Sequence, residues 1–301
     1  MKILITDPIS DTAIKMIEEK GEAIEVDLKY DFPKEKLGEI IGNYDGIVVR
    51  SATELNGEVL ENAKNLKFII RGGVGLDNID VKKAEEKGIV VLNTPEASTI
   101  SVAELVIGYL IALSRFIPQA TYSLKTGKWE KKKFKGQEIF GKTLGIIGIG
   151  RIGKEVAKRA NALGMKILGF DPFVKEAEGI EIADLHFLVE NSDYITLHIP
   201  LAENTKYIIN KGLIDKMKQG VFIINCARGG LIDEDALYTA LQSGKIKGAA
   251  FDVFEIEPPN NNKLLQLENF IATPHIGGST VESQERIGAE IAQKIIEYSK
   301  K

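Results

Sequence analysis

One stretch constrains the fold more than any other. Thr143-Leu-Gly-Ile-Ile-Gly-Ile-Gly-Arg-Ile-Gly153 runs from a short apolar segment through closely spaced glycines into the helical pattern Arg151 to Leu163. The apolar run Leu144 to Ile149 reads as a buried strand, and Gly164 stands where the helix would stop. Gly148 suits a tight turn, Gly150 leaves bare backbone for a diphosphate to approach, and Gly153 lets the helix pack on the strand. The amides of Arg151 and Ile152, at the helix start, would then face the anion. A second run, Lys166 to Phe170, leads to Asp171, 18 positions beyond Gly153. An acid at about that distance meets the ribose diol of a dinucleotide and repels a 2′-phosphate, so NAD is expected over NADP. A glycine loop by itself also suits a nucleoside-binding methyltransferase fold, so the turn leaves the chemistry open.

The rest of the chain repeats the alternation. Ile3 to Ile5, Ile47 to Val49, Phe68 to Ile70 and Ile89 to Leu92 read as strands, separated by helical stretches such as Ser10 to Lys20. The rhythm breaks near Pro95, where a long apolar helix from Ser98 to Phe116 and a lysine-rich segment, Lys125 to Lys135, mark a crossing between domains. It resumes through Lys166 to Phe170, Tyr194 to Ile199, Val221 to Asn225, Ala249 to Val253 and Phe270 to Ala272, a second sheet of at least six strands. This is the pattern of α/β domains built on doubly wound parallel sheets. The last helix, Ser279 to Tyr298, has no strand after it and is expected to pack back on the first domain.

A length of 301 residues accommodates two such domains. The 39 basic and 43 acidic side chains leave a formal charge of −4, which offers no basic excess for a nucleic acid. The single cysteine, Cys226, excludes an internal disulfide and a multi-thiolate metal site, as suits a cytoplasmic protein without a metal. Met1 to Asp7 is too short in apolar residues to direct export, and Val102 to Leu113 falls short of the roughly 20 residues a membrane span needs. No membrane association is expected.

Transferring hydride to or from a 2-keto acid requires a cation for the carboxylate, a proton for the carbonyl oxygen and a nicotinamide held against the carbon. Arg228 follows one strand of the second sheet, and its guanidinium can give two parallel donors to a carboxylate. Glu257 and His275 follow two others. A carboxylate beside an imidazole favours the charged ring, so Glu257 can orient His275 while His275 gives or takes the proton. Taken singly, each has a plainer reading: Arg228 as a surface salt-bridge residue, Glu257 before Pro258-Pro259 as part of a turn, His275 as a structural hydrogen-bonding residue.

Together these segments resemble the D-2-hydroxyacid dehydrogenase family over almost the whole chain. The most specific stretches are Val49-Arg-Ser-Ala-Thr53, Arg71-Gly-Gly-Val-Gly75 with Asp77-Asn-Ile-Asp80, and Asn93-Thr-Pro95 with Ser101-Val-Ala-Glu104. To these are added Asn225-Cys-Ala-Arg-Gly-Gly-Leu-Ile-Asp233, Ala250-Phe-Asp-Val-Phe254 and Thr273-Pro-His-Ile-Gly-Gly-Ser-Thr280. The resemblance implies a Rossmann-type NAD domain, 99–278, inserted in a flavodoxin-like substrate domain formed by 1–98 and 279–301. It implies Arg228 as substrate-binding catalytic cation, His275 as general acid and base, and Glu257 as its partner.

Cofactor contacts, many through backbone, are implied at Val74, Gly148, Gly150, Arg151, Ile152, Gly153, Asp171, Ile199, Pro200, Cys226, Ala227, Arg228, Asp252, His275, Gly277 and Gly278. Asp252 would hold the nicotinamide carboxamide, and His198 would line the pocket of that ring. The substrate, a small 2-hydroxy or 2-keto acid that is phosphorylated, would be met by the amides of Gly72, Gly73 and Val74, by Ser51 and Arg228, and by Arg50 and Arg71 at its phosphate. Gly127 to Phe134 resembles an arm that forms a homodimer, where a lysine from Lys131 to Lys133 would reach a phosphate across the subunit boundary or simply be solvated. Longer relatives add a serine-sensing domain, which is not expected here. Two other readings remain open: a glyoxylate or hydroxypyruvate reductase, and an NAD-sensing corepressor with the same fold.

Overall fold

The computed structural model describes residues 1–20 and 23–300; Gly21, Glu22 and Lys301 lie outside the described residues. The chain divides into two compact units, Met1–Ser98 with Gly278–Lys301 and Thr99–Gly277.

The first unit contains β1 (Lys2–Ile5), α1 (Asp11–Lys20), β2 (Glu25–Leu28), α2 (Leu37–Ile40), β3 (Gly46–Val49), α3 (Gly57–Glu61), β4 (Phe68–Arg71), α4 (Val81–Glu86) and β5 (Val90–Asn93). All its strand pairs are parallel, in the order β2-β1-β3-β4-β5, the flavodoxin-like arrangement. Both faces are covered, which is why β1, β3 and β4 read as continuous apolar runs rather than alternating ones. Glu25-Val-Asp-Leu28 escaped the sequence reading because it is a partly exposed edge strand whose charges interrupt the apolar signal.

In the second unit lie α5 (Thr99–Arg115), α6 (Ile117–Lys125), β6 (Thr143–Ile147), α7 (Arg151–Ala162), β7 (Lys166–Phe170), β8 (Glu181–Ile182), α8 (Leu185–Asn191) and β9 (Tyr194–Leu197). There follow α9 (Lys211–Lys216), β10 (Val221–Asn225), α10 (Glu234–Gln242), β11 (Ile246–Phe251) and β12 (Phe270–Ala272). Seven parallel strands run in the order β12-β11-β10-β9-β6-β7-β8. That is the Rossmann order with one strand added, and its direction of winding reverses between β9 and β6, where such sheets bind ligands. Side chains alternate between two cores: Ile147 packs with Leu197, Ile223 and Phe251, while Ile146 packs with Val106, Leu110 and Val156 beneath α5 and α7.

Three strands end earlier than their apolar runs, among them β11, which stops at Phe251 rather than Val253. β6 stops at Ile147 because Gly148 adopts a left-handed turn (φ 99°), and β9 stops at Leu197 rather than Ile199. The long apolar helix ends at Arg115, and the left-handed Phe116 (φ 53°) redirects the chain into α6. No single helix among the described residues is long and apolar enough to cross a membrane; α5 and α6 pass that test only as a pair bent by 64°.

The chain finishes in α11 (Val281–Ser299), whose Ile287, Ile291 and Ile295 join Ile3, Ile5, Ala13 and Ile17 in one core of the first unit. Gly288 allows the close approach of α11 to α1, since a Cβ there would stand 2.3 Å from Ser10 Oγ.

Candidate active site

The three glycines after β6 differ in what they permit. A Cβ on Gly148 would come within 2.5 Å of the His198 carbonyl oxygen, and one on Gly153 within 2.1 Å of the Gly148 carbonyl oxygen. Both positions must be bare for β6, the turn and α7 to meet β9. A Cβ on Gly150 would meet nothing within 4 Å, so this glycine leaves its backbone open to an approaching group. Gly150 also precedes α7, whose N-terminus has no side-chain cap, leaving amide donors for an anion. Asp171, at the end of β7, accepts the Ile149 amide at Oδ2 and the Phe173 amide at Oδ1, each at 2.9 Å. Remaining carboxylate lone pairs suit a ribose diol. Bare glycine backbone, an uncapped helix start and an acid on the neighbouring strand fit a dinucleotide.

Next to this turn, His198 shares a 3.1 Å hydrogen bond with Thr196 Oγ1 through Nε2. Burial pushes its imidazole down to about 3, so the ring is neutral at ordinary pH. Ile199 is half-buried, and the Pro200 carbonyl accepts Thr205 Oγ1 at 2.8 Å. Cys226 is buried, and burial followed by the nearby Asp252 raises its thiol well above the usual range. Any contact it makes with a ligand is therefore through its backbone or as a neutral thiol.

Three loops at the carboxyl edge of β10, β11 and β12 carry Arg228, Glu257 and His275. The order of the sheet makes these loops neighbours. Asn225, almost fully buried, holds the first: its Nδ2 donates to the Arg228 carbonyl at 2.8 Å and its Oδ1 accepts the Ala227 amide at 3.0 Å. Arg228 Nη1 donates to the Ala227 carbonyl at 2.6 Å. Gly229 then passes so close to the second loop that a Cβ would lie 1.9 Å from the Phe254 carbonyl oxygen.

Glu257 accepts the Phe254 amide at Oε1 (3.0 Å), and its Oε2 lies 2.7 Å from His275 Nδ1. Burial alone would raise the Glu257 carboxyl. The His275 and Phe254 hydrogen bonds, with the charges of His275 and Arg228, outweigh it and hold the carboxyl below its ordinary value. Glu257 is thus an anion at neutral pH, facing Nδ1 and leaving Nε2 of the half-exposed His275 ring for another partner.

The third loop is clamped by Asp252, only 1% exposed. Its Oδ1 accepts Thr273 Oγ1 and the Ile276 amide (2.8 Å), its Oδ2 accepts the Gly277 amide (2.7 Å), and its carbonyl accepts the His275 amide (2.9 Å). This grip supports a left-handed His275 (φ 53°), an uncommon conformation for a side chain of that size. Tyr109 Oη, 2.5 Å from Thr273 Oγ1, completes the brace from α5. Thr273 opens the motif Thr273 to Thr280, whose sequence does not announce the link to Asp252. Nothing in the sequence pointed to Tyr109, which reads as one more apolar-face residue of a core helix.

In the first unit the expected substrate residues share the carboxyl edge of β3 and β4. The Arg50 amide donates to Asp7 Oδ2 at 2.6 Å, and its Nη1 donates to the Pro8 carbonyl at 3.2 Å. Its Nε is buried with no hydrogen-bond partner, and burial lowers the guanidinium below its ordinary value against the pull of Asp7. Ser51 is exposed beside it. Arg71 ends β4 in register with Val49, and its guanidinium lies over Gly73, where a Cβ would be 1.6 Å from Nη1. The Gly72 amide donates to the Val49 carbonyl at 2.8 Å. Val74 is exposed, with its carbonyl held by Asn93 Nδ2 at 2.6 Å, and Gly278 is held through its carbonyl by Gln284 Nε2 at 2.7 Å.

Comparison with known proteins identifies the family. Residues 107–277 match the model of the D-isomer specific 2-hydroxyacid dehydrogenase, NAD binding domain. The chain is 53% identical over 300 residues to a D-3-phosphoglycerate dehydrogenase of Methanocaldococcus jannaschii, covering 98% of this chain and 57% of that one. It is also 53% identical over 298 residues to a hydroxypyruvate reductase of Thermotoga maritima, covering 98% of this chain and 97% of the relative. The crystal structure of a glyoxylate reductase from Paecilomyes thermophila superposes with a TM-score of 0.92 at 32% identity, covering 100% of this chain and 96% of that one. The chain thus spans little more than half the length of the phosphoglycerate dehydrogenase it matches and almost the full length of the two reductases. By its matched NAD-binding domain and by identity along nearly all of its sequence, this chain belongs to the D-isomer specific 2-hydroxyacid dehydrogenase family.

Proposed function

We propose that the protein is an NAD-dependent dehydrogenase that oxidises 3-phospho-D-glycerate at C2 to 3-phosphooxypyruvate, the entry step of L-serine synthesis. The observation that carries the reaction type is the meeting of Arg228, Glu257 and His275 on adjacent loops, with an ionised carboxylate facing one ring nitrogen. Arg228 binds the substrate carboxylate and the C2 oxygen through its forked donors. In the oxidative direction neutral His275 takes the C2 hydroxyl proton at Nε2. Glu257 accepts from Nδ1 and stabilises the imidazolium that forms. Bound NAD supplies the two-electron acceptor for the C2 carbon. The reverse reaction uses the same groups, with charged His275 giving its proton to the carbonyl oxygen.

The Gly148–Gly153 turn, with the amides of Arg151 and Ile152, holds the diphosphate, and Asp171 takes the adenosine ribose. Asp252 and the loop that carries His275 flank the nicotinamide end, together with His198, Ile199, Pro200, Cys226 and Ala227. Arg50 and Arg71, with Ser51 and the amides of Gly72 and Gly73, receive the phosphorylated acid. The buried and partnerless Arg50 Nε favours an anionic ligand there. We assign the working form as a cytoplasmic homodimer formed through the Gly127–Phe134 arm, on which Trp129 is 81% exposed.

A hydroxypyruvate reductase is the second reading, favoured by the near full-length match to the Thermotoga maritima relative. The phosphate separates them. Replacing Arg50 with alanine should raise KM for phosphoglycerate by about tenfold to a hundredfold, the cost of losing one charge-assisted contact, and hardly change KM for glycerate. Equal effects on both substrates would reject the phosphate role and favour the reductase. Turnover by the purified protein also separates either enzyme from a corepressor.

A further inference from the structure

Glu234 is the first residue of α10 and stands apart from the Glu257–His275 pair. Its carboxylate nevertheless grips both flanks of the loop that carries Glu257. Oε1 accepts the Glu255 amide at 3.0 Å, and Oε2 accepts Asn262 Nδ2 at 2.6 Å. Each contact point is itself anchored. Tyr207 Oη donates to Glu255 Oε2 at 3.1 Å, and Asn262 Oδ1 accepts the Leu264 amide at 2.9 Å, where Leu264 is fully buried.

Between those points the chain is fixed by polar contacts: the Phe254 amide donates to Glu257 Oε1 at 3.0 Å, the Asn260 amide to the Pro258 carbonyl at 2.8 Å and the Asn262 amide to the Pro259 carbonyl at 3.3 Å. Ile256 is 77% exposed and supplies no core anchor, and the segment from Glu255 to Asn262 contains no helix or strand. Hydrophobic burial therefore does not determine where Glu257 points. Hydrogen bonds do, and those at the loop ends contribute because tying both ends removes most of the freedom of a short segment.

We propose that Glu234 is a positioning residue of this enzyme, closing the Glu255–Asn262 loop at both ends so that Glu257 Oε2 meets His275 Nδ1. The inference rests on the acid–base reading of that pair given above. Only a carboxylate offers two acceptor oxygens to the two donors. A glutamine would present one oxygen and one NH₂ group, so one donor would face a donor. Burial raises the Glu234 carboxyl, with the charges of Glu255 and Asp235 adding to it against the two hydrogen bonds. Lys263 does not relieve this acidic neighbourhood alone, since its ammonium pairs with Asp235 at 2.6 Å.

The test is whether Glu234 acts through Glu257. In the full chain with NAD and substrate, Glu234→Gln should lower kcat about tenfold, a loss in keeping with sub-ångström misplacement of a catalytic group. It should leave NAD affinity unchanged and move the pH profile of kcat in the same direction as Glu257→Gln. In a Glu257→Gln background the same change should add almost nothing. An unshifted profile accompanied only by lower thermal stability, or losses that multiply in the double variant, would overturn the proposal. Should Glu234→Gln not fold, Asn262→Ala cuts one of the same ties and is held to the same two outcomes. If Glu257→Gln itself leaves the profile of the unaltered enzyme, the acid–base reading fails; if only the Glu234 and Asn262 variants do, the failure belongs to this inference alone.

Discussion

Each unit buries one aspartate just beyond the end of a parallel strand: Asp7 after β1, 3% exposed, and Asp252 after β11, 1% exposed. Both reach sideways to hold the loop of the adjacent strand. Asp7 takes the Arg50 amide and Thr53 Oγ1 beyond β3, while Asp252 takes Thr273 Oγ1 and the Ile276 and Gly277 amides beyond β12. The difference lies in the charge around them. Asp7 also faces the Lys34 ammonium at 3.4 Å, whereas the donors that Asp252 takes are a hydroxyl and two backbone amides. One clamp thus sits among cations, on the edge to which we assign an anionic substrate. The other closes the loop that carries His275. The same carboxylate device closes a loop in each unit, and the charge of the neighbouring side chains differs.

The sharpest contrast is expected at the pair itself. His275→Ala should cut turnover by about 10²- to 10⁴-fold, the usual contribution of a general acid–base group, while NAD affinity measured by fluorescence stays near normal. Full activity would remove the proton role. The clamps come next. Asp7→Ala and Asp252→Ala should each cost about 1–3 kcal/mol of unfolding free energy by leaving buried donors unsatisfied, read as a lower denaturant midpoint. Of the two, only Asp252→Ala should depress turnover of every substrate, and Asp7→Ala should act mainly on KM for the phosphorylated one. Identical kinetic profiles would break the comparison.

Smaller effects are predicted for Glu257 and Asp171. The lowered Glu257 carboxyl stays ionised through neutral pH and loses its charge only as pH falls below the ordinary carboxylate range. Its anion favours the charged imidazole, so in Glu257→Gln the imidazole-dependent limb of the kcat profile should move to lower pH, by about one unit or less. A superimposable profile would remove Glu257 from the pair. Asp171→Ala should narrow the NAD over NADP preference severalfold in kcat/KM by removing the carboxylate that repels a 2′-phosphate. An unaltered ratio would contradict the ribose assignment.

Much of the architecture was legible because its signals are local. The strand, glycine turn and helix from Thr143 to Ala162 follow from short-range sterics, and the structure shows the same contacts that make Gly148 and Gly153 obligatory. Two of the four edge strands were not legible: β2 is charged and partly exposed, and β8 has only two residues, whereas the edge strands β5 and β12 carry apolar runs that announce them. At the candidate site, Arg228, Glu257 and His275 could be singled out because each follows a buried strand. Their braces could not. Asn225 looks like the last residue of a strand, Glu234 like an ordinary acid in the first turn of a helix, and Tyr109 like core.

The sequence by itself determined two α/β units, the glycine turn between β6 and α7, and a final helix bound to the first unit. Each of these rests on periodicity or on steric limits within a few residues. Only the tertiary structure decided that Gly229 touches the Phe254 carbonyl, that Glu234 spans Glu255 and Asn262, and that two buried aspartates clamp loops far away in the chain. Those contacts depend on which strands become neighbours. That choice is made by burying both sheet faces at once, a condition on the whole chain that no short segment carries.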